Sequence, residues 1–293
     1  GIYPTEINED IAYRIGRALV SFLNCRSVIV GWDMRLSSKK LFKALARGII
    51  AQGADVHEVG LCSTDMVYFA TGFYNMDAGV MITASHNPKD YNGVKFCREM
   101  AIPIGSDSGL GDIERIFDAS SFREPAKKGR HFKKEIMDDF AKRAFSIVDP
   151  KNIRPLKIVV DAGNGIAGLV VPKIAEKLSC RIIPLYFERD GNFPNHPPSP
   201  IEAENRKDLV ARVKKEKADL GMAFDGDGDR VFFIDDKGEL LTASFMTAMI
   251  AKRVLAKYPG SNIIYNVVCS KIVPDTIEKY GGRPIIWKVG HAF

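Results

Sequence analysis

A serine and a histidine stand side by side in Thr83-Ala84-Ser85-His86-Asn87-Pro88, and three aspartates alternate with glycine in Asp225-Gly226-Asp227-Gly228-Asp229-Arg230. A serine hydroxyl is a weak nucleophile until a base or a charge partner assists it. His86 is adjacent, and Lys95 falls on the next predicted strand. Both are candidates to stabilise phosphate charge or to move a proton. In the second segment the glycines let the backbone fold so that Asp225, Asp227 and Asp229 converge. Carboxylates at close range repel and raise one another's pKa, and a divalent cation removes that cost. Oxygen-only ligands favour a hard ion, so Mg²⁺ is expected, with coordination positions left for water or a phosphate oxygen. Arg230 would serve as a bidentate phosphate clamp. Together these residue types suit phosphoryl transfer, with Ser85 carrying the group against the metal.

Each segment alone has a plainer reading. Ser85 and Asn87 could merely satisfy backbone groups in a polar turn, and a Gly/Asp-rich run could be a solvated loop. A calcium-binding EF-hand does not fit, because Arg230 occupies the sixth loop position, where that motif requires glycine. The two segments together weigh against the plain readings.

Both segments follow apolar runs that predict strands. Ala78 to Ile82 leads into the serine segment, and Ala218 to Phe224 leads into the acidic one. Ligands collect beyond the carboxyl ends of strands in open α/β sheets. The rest of the chain alternates in the same way. Helices are predicted over Asn8 to Phe22, Ser37 to Gln52, Leu110 to Phe117, Ile136 to Val148, from Gly165 to Leu178, and over Glu204 to Glu216, Ser244 to Lys257 and Ile272 to Tyr280. Further strands are predicted over Ser27 to Gly31, Ala54 to Val59, Gly93 to Cys97, Leu156 to Asp161, Arg181 to Phe187, Val231 to Ile234, Asn262 to Val268 and Pro284 to Val289. Asp190 to Pro200 contains four prolines and is predicted to be an extended loop. The pattern implies βαβ units and mainly parallel, mixed sheets in consecutive three-layer α/β domains. The expected divisions are 1–132 with the serine loop, 133–240 with the acidic loop, and a partial unit over 241–293. The chain stops just after a predicted strand and turn, so a longer parent chain is expected.

Composition narrows the class. The chain has 293 residues, 46% of them hydrophobic, enough for more than one core. The formal charge of +6 is spread thinly, and the run Lys214-Lys215-Glu216-Lys217 reads as a solvated helix face. There is no basic stripe with interleaved aromatics, so nucleic acid is not an expected partner. No apolar run approaches membrane-spanning length and no signal peptide is visible, so no membrane association is expected. The five cysteines are odd in number and form no CxxC pair. They read as reduced thiols of a cytoplasmic protein.

The segments TASHNP, with Asp90-Tyr91-Asn92-Gly93, and DGDGDR resemble those of the α-D-phosphohexomutases, most closely the phosphomannomutase/phosphoglucomutase branch. The resemblance runs almost end to end. It includes Gly31-Trp32-Asp33-Met34-Arg35-Leu36-Ser37, Val160-Asp161-Ala162-Gly163-Asn164-Gly165, the DGNFPNHPPSP loop and Lys288-Val289-Gly290-His291. The resemblance implies four domains around a deep cleft, of which the C-terminal phosphate-binding domain and the sugar loop of the third are absent here. It implies a mutase that interconverts hexose 1-phosphate and 6-phosphate, of mannose or glucose, through a 1,6-bisphosphate that also acts as activator. Ser85 would be the phosphoserine. Asp225, Asp227 and Asp229, with a phosphoserine oxygen, would hold one Mg²⁺. Arg230 and Arg35 would steady the phosphoserine and the transferred group. His86 and Lys95 would be the acid and base for the sugar hydroxyl, and Lys271, Lys288 and His291 would contact substrate. Hexose phosphates are the implied partners of a monomer or weak dimer. Phosphoglucosamine mutase, a metal-dependent phosphatase and a non-catalytic sugar-phosphate-binding protein are the alternative readings.

Overall fold

The computed structural model describes residues 1–122, 124–290 and 292. In chain order the first part comprises α1 (Glu9–Leu23), β1 (Ser27–Trp32), α2 (Ser38–Ala51), β2 (Asp55–Leu61), α3 (Thr64–Phe73), β3 (Ala78–Ile82), β4 (Val94–Arg98), β5 (Ile102–Pro103), α4 (Leu110–Ala119) and β6 (His131–Lys133). The second comprises α5 (Met137–Ile147), β7 (Lys157–Asp161), α6 (Ala167–Ala175), β8 (Arg181–Leu185), α7 (Lys207–Glu216), β9 (Leu220–Phe224), β10 (Val231–Asp235) and β11 (Leu240–Leu241). The third comprises α8 (Ala243–Lys257), β12 (Asn262–Asn266), α9 (Ile272–Lys279) and β13 (Arg283–Trp287).

The first sheet runs β5-β4-β3-β1-β2-β6. Its centre is parallel, while β4 and β5 are antiparallel. Both faces of β1 are covered, as a continuous apolar run requires. Val28, Val30 and Trp32 face the core under α1 and α2, whereas Ile29 faces the one formed with Met66, Val67 and Ala70 of α3. Two glycines bring α1 and α2 together: a Cβ at Gly16 would collide with the Leu45 carbonyl, and one at Gly48 with that of Tyr13. The second sheet runs β11-β10-β9-β7-β8 and repeats the pattern, with a parallel β8-β7-β9 centre and antiparallel β10 and β11. In the third part β12 and β13 pair in parallel beside α8 and α9.

This repetition sets the two reactive loops in equivalent places. The serine segment links β3 to its antiparallel neighbour β4, and the acidic segment links β9 to β10. Each lies at the carboxyl edge of its own sheet.

Three departures from the sequence reading stand out. The helix α3 is absent from it, because Met66, Val67, Tyr68, Phe69, Ala70 and Phe73 leave no polar face to mark a helical period. The helix after Gly165 ends at Ala175 rather than Leu178, three residues beyond Pro172. The two C-terminal strands end at Asn266 and Trp287, short of Val268 and Val289. The α/β class and the mixed, centrally parallel sheets are as expected.

Candidate active site

The two loops meet. The Ser85 hydroxyl donates to Asp225 Oδ2 at 2.8 Å and accepts from Arg230 Nη2 at 2.5 Å. Arg230 is held in turn by Asp225, with Nε 2.9 Å from Oδ2. Ser85 has φ +50°, a left-handed conformation that disfavours a residue with a Cβ and that concentrates at functional sites. The acidic loop is pinned from two sides, Ile166 N donating to Gly226 O and Thr64 N to Asp227 O, and closed on itself by Gly228 N to Asp225 O. A Cβ on Gly226 would stand 2.6 Å from the Ser85 carbonyl, so only glycine permits this approach of the two loops.

The donor set suits a divalent cation. Oxygens of Asp225, Asp227 and Asp229 all lie within 4.8 Å of one another. Asp225 and Asp227 are fully buried, and Asp227 Oδ1 has no hydrogen-bond donor. A buried carboxylate oxygen without a donor is costly, and a hard cation would satisfy it. The electrostatics agree. Burial first, and then repulsion by Asp227 and Asp229, push the Asp225 carboxyl up to about 7, with Arg230 and the Ser85 hydroxyl acting the other way. Burial opposes the charge of Asp227 as well, but Lys95 and Thr64 outweigh it and hold that carboxyl below its ordinary range. All-oxygen ligands of this kind fit Mg²⁺.

Lys95, on β4, donates to both Asp227 Oδ2 and Asp229 Oδ2 at 2.7 Å. Burial disfavours its charge, yet the two aspartates raise its pKa and keep it an ammonium. His86 Nδ1 lies 2.5 Å from Arg230 Nη2 and 3.5 Å from Ser85 Oγ. A guanidinium can only donate, so Nδ1 is the acceptor and the proton sits on Nε2. Burial and then the Arg230 charge lower the imidazole pKa.

Arg35, expected to steady the phosphoserine and the transferred group, acts on the backbone of the serine loop. Its side chain is fully buried, and all its donors are taken. Nε binds Asp33 Oδ2, Nη1 the carbonyls of Pro88 and Tyr91, and Nη2 those of Ser85 and Asn87. It braces the backbone of the serine loop from behind. The face of its guanidinium lies over Phe193 of the proline-rich loop, 5.2 Å from the ring centre. A single positive residue three positions after a buried strand gives no sign of five acceptors gathering on it.

Ser85, His86, Lys95, Asp229 and Arg230 open on a cleft of about 1020 Å³, whose other wall carries Lys288. Lys288 makes an ion pair with Asp107 at 2.5 Å, across to the first part of the chain. Lys271 immediately precedes α9, is exposed, and does not line the cleft. His291 lies outside the described residues. Thr64, which the sequence reading passed over, is the first residue of α3 and donates to Asp227 Oδ2 at 2.5 Å. The unread helix hid it.

Comparison with known proteins identifies the family. Three consecutive family models match: phosphoglucomutase/phosphomannomutase alpha/beta/alpha domain I over residues 1–124, domain II over 134–238 and domain III over 242–293. The chain is 41% identical over 295 residues to a phosphomannomutase of Escherichia coli K12, covering 98% of the chain and 65% of that protein. It is also 41% identical over 293 residues to a protein named phosphohexose mutases in Xanthomonas campestris pv. campestris, again covering 65% of it. The crystal structure of a phosphoglucomutase/phosphomannomutase family protein from Burkholderia thailandensis superposes with a TM-score of 0.92 at 37% identity, over 100% of this chain and 65% of that one. The chain thus spans just under two thirds of the length of these relatives. Its three matched domains and the meeting of its serine and acidic loops place it in the α-D-phosphohexomutase family, of the phosphoglucomutase/phosphomannomutase type.

Proposed function

We propose that the chain carries the phosphoryl-transfer centre of a hexose-phosphate mutase acting on the 1- and 6-phosphates of mannose or glucose. The observation that carries this reading is the Ser85 hydroxyl, set between Asp225 Oδ2 and Arg230 Nη2 beside a triad of carboxylates of which two are buried. Asp225, Asp227 and Asp229, with an oxygen of phospho-Ser85, would hold one Mg²⁺. When bound, the ion supplies Lewis-acid neutralisation of the developing phosphoryl charge.

The chain's own residues account for the remaining steps. As Ser85 Oγ bonds to phosphorus of a hexose 1,6-bisphosphate, the ester bond to the sugar oxygen breaks and that oxygen takes a proton. The Ser85 hydroxyl hydrogen points at Asp225, which is the direction of its departure. Arg230 stays on the reacting oxygen and offers charge to the transferred group. Lys95, held charged, is the candidate acid for the sugar oxygen and, once neutral, the base that takes the same proton back in the reverse direction; His86, beside Ser85 and Arg230, is the alternative group for that proton. Phosphoryl transfer proceeds through loose transition states and depends on such positioning and neutralisation. A second transfer, after the bisphosphate reorients in the cleft, returns the other phosphate to Ser85 and leaves the isomeric monophosphate. Hexose phosphates are the proposed partners, and a 1,6-bisphosphate the activator.

The test is an assay with mannose 1-phosphate or glucose 1-phosphate, Mg²⁺ and a trace of the matching 1,6-bisphosphate. Formation of the 6-phosphate without release of inorganic phosphate is expected. Release of phosphate in step with substrate loss would instead identify a phosphatase.

A further inference from the structure

We infer that Asp33 and Thr83 are positioning residues for the reactive serine, a role that rests on the phosphoserine reading above. Neither residue touches the hydroxyl. Both are buried, and both act on the peptide groups on either side of the Ser85 Cα.

Asp33 follows β1, and its carboxylate is fully engaged. Oδ1 accepts from Arg35 N at 3.0 Å and from Ser38 Oγ at 2.6 Å. Oδ2 accepts from Arg35 Nε at 3.1 Å and from Thr83 Oγ1 at 2.8 Å. Two arms leave this carboxylate and converge on one residue. Through Thr83 the first reaches the Ser85 amide, which donates to Thr83 Oγ1 at 2.8 Å. Through Arg35 the second reaches the Ser85 carbonyl, 2.9 Å from Nη2. The N–H and C=O of Ser85 are therefore both returned to Asp33.

Ser85 needs such a hold because its φ of +50° is not one that a serine adopts for itself. Rotation toward an ordinary φ would swing the Cα–Cβ bond and carry Oγ away from Asp225 and Arg230. The threonine hydroxyl suits the bridge because one oxygen both donates and accepts. Its hydrogen goes to Asp33 and its lone pair to the Ser85 amide. Valine in its place would leave the Ser85 amide without an acceptor and take from Asp33 Oδ2 one of its two donors. Serine would keep both bonds.

The test uses the intact protein, Mg²⁺, glucose 1,6-bisphosphate as phosphoryl donor, and quenched-flow mass spectrometry of phosphate on Ser85. Wild type is measured first. No phosphate on Ser85 in wild type would overturn the phosphoserine reading, and this inference with it. With wild type phosphorylated, Thr83→Val is expected to slow transfer at saturating donor by about tenfold or more, with the half-saturating donor concentration unchanged. Thr83→Ser is expected to stay within about twofold of wild type. A Thr83→Val rate equal to wild type would overturn the inference. Equal losses in Thr83→Val and Thr83→Ser would also overturn it, because methyl packing rather than the hydroxyl would then be responsible. If Thr83→Val lacks the wild-type circular dichroism, Thr83→Cys replaces it, since a thiol is small but a weak acceptor. It is expected to be slow, and a wild-type rate would overturn the inference.

Discussion

Thr64 and Asp227 stand 163 positions apart and are joined twice, the Thr64 amide to the Asp227 carbonyl at 3.1 Å and the Thr64 hydroxyl to the Asp227 carboxylate at 2.5 Å. The amino end of α3, from the first part of the chain, thus holds the middle aspartate of the second. A helix amino terminus favours negative charge, and Asp227 lies there with one oxygen still lacking a donor. The acidic loop is therefore held between two sheets rather than within one.

The proposed Mg²⁺ site at Asp225, Asp227 and Asp229 is tested by thermal stability. Mg²⁺ that binds only the folded chain should raise its melting temperature, with stabilisation of about 2.7 kcal/mol at one hundred times the dissociation constant. Asp227→Asn should abolish the response. Thermal melts with and without Mg²⁺ measure it, and an undiminished Mg²⁺ shift in Asp227→Asn would count against the triad as the site.

Arg35→Lys tests the brace behind Ser85. One ammonium cannot reach the five acceptors that the guanidinium satisfies. Buried acceptors left without donors should lower stability by about 3 kcal/mol or more. Urea unfolding measures this. A midpoint within error of wild type would show that the carbonyl cage is not what holds the loop.

Gly226→Ala tests the contact between the loops. The new Cβ would meet the Ser85 carbonyl at 2.6 Å and Pro198 Cβ at 3.3 Å, and neither is the end of a flexible side chain. Overpacking of this kind typically costs about 1–3 kcal/mol. A lower melting temperature is expected together with slower Ser85 phosphorylation. A variant indistinguishable from wild type on both counts would contradict the close approach.

His196 sets a pH dependence. Its Nε2 lies 3.1 Å from Asp161 Oδ2 and its Nδ1 2.8 Å from the Pro197 carbonyl, two acceptors that favour the doubly protonated ring. Burial works against that charge, but Asp161 outweighs it, and the pKa is raised. A raised folded-state pKa contributes stability that is complete below the unfolded value of about 6.5 and fades as pH rises through the folded one. The stability advantage of wild type over His196→Gln should be largest near pH 5.5 and shrink toward pH 8. Urea midpoints across that range measure it, and an advantage that grows with pH would contradict the pair.

Much of this site was legible in the sequence, for physical reasons that can be named. The serine and acidic loops each follow a short apolar strand, and their polar, glycine-bearing residues can only be edge loops. Three alternating aspartates point to nearby positive charge because their mutual repulsion is costly, a charge that Lys95 and Arg230 supply in part. The meeting of Ser85 with Asp225 and Arg230 is set by the packing of two sheets, which no local pattern records. Thr64 was hidden by a helix apolar nearly all round. The backbone cage around Arg35 left no mark in the sequence, because a lone arginine looks the same there whether it faces solvent or backbone carbonyls. Lys271 was placed by its neighbours in a short motif, and the fold sets it outside the cleft wall.

Mass spectrometry decides whether Ser85 carries the phosphoryl group. The chain is incubated with Mg²⁺ and glucose 1,6-bisphosphate, digested and mapped. One phosphate on Ser85, lost on addition of glucose 1-phosphate and absent from Ser85→Ala, is the predicted result. Phosphate on another residue, or retained by Ser85→Ala at the wild-type level, would contradict the account.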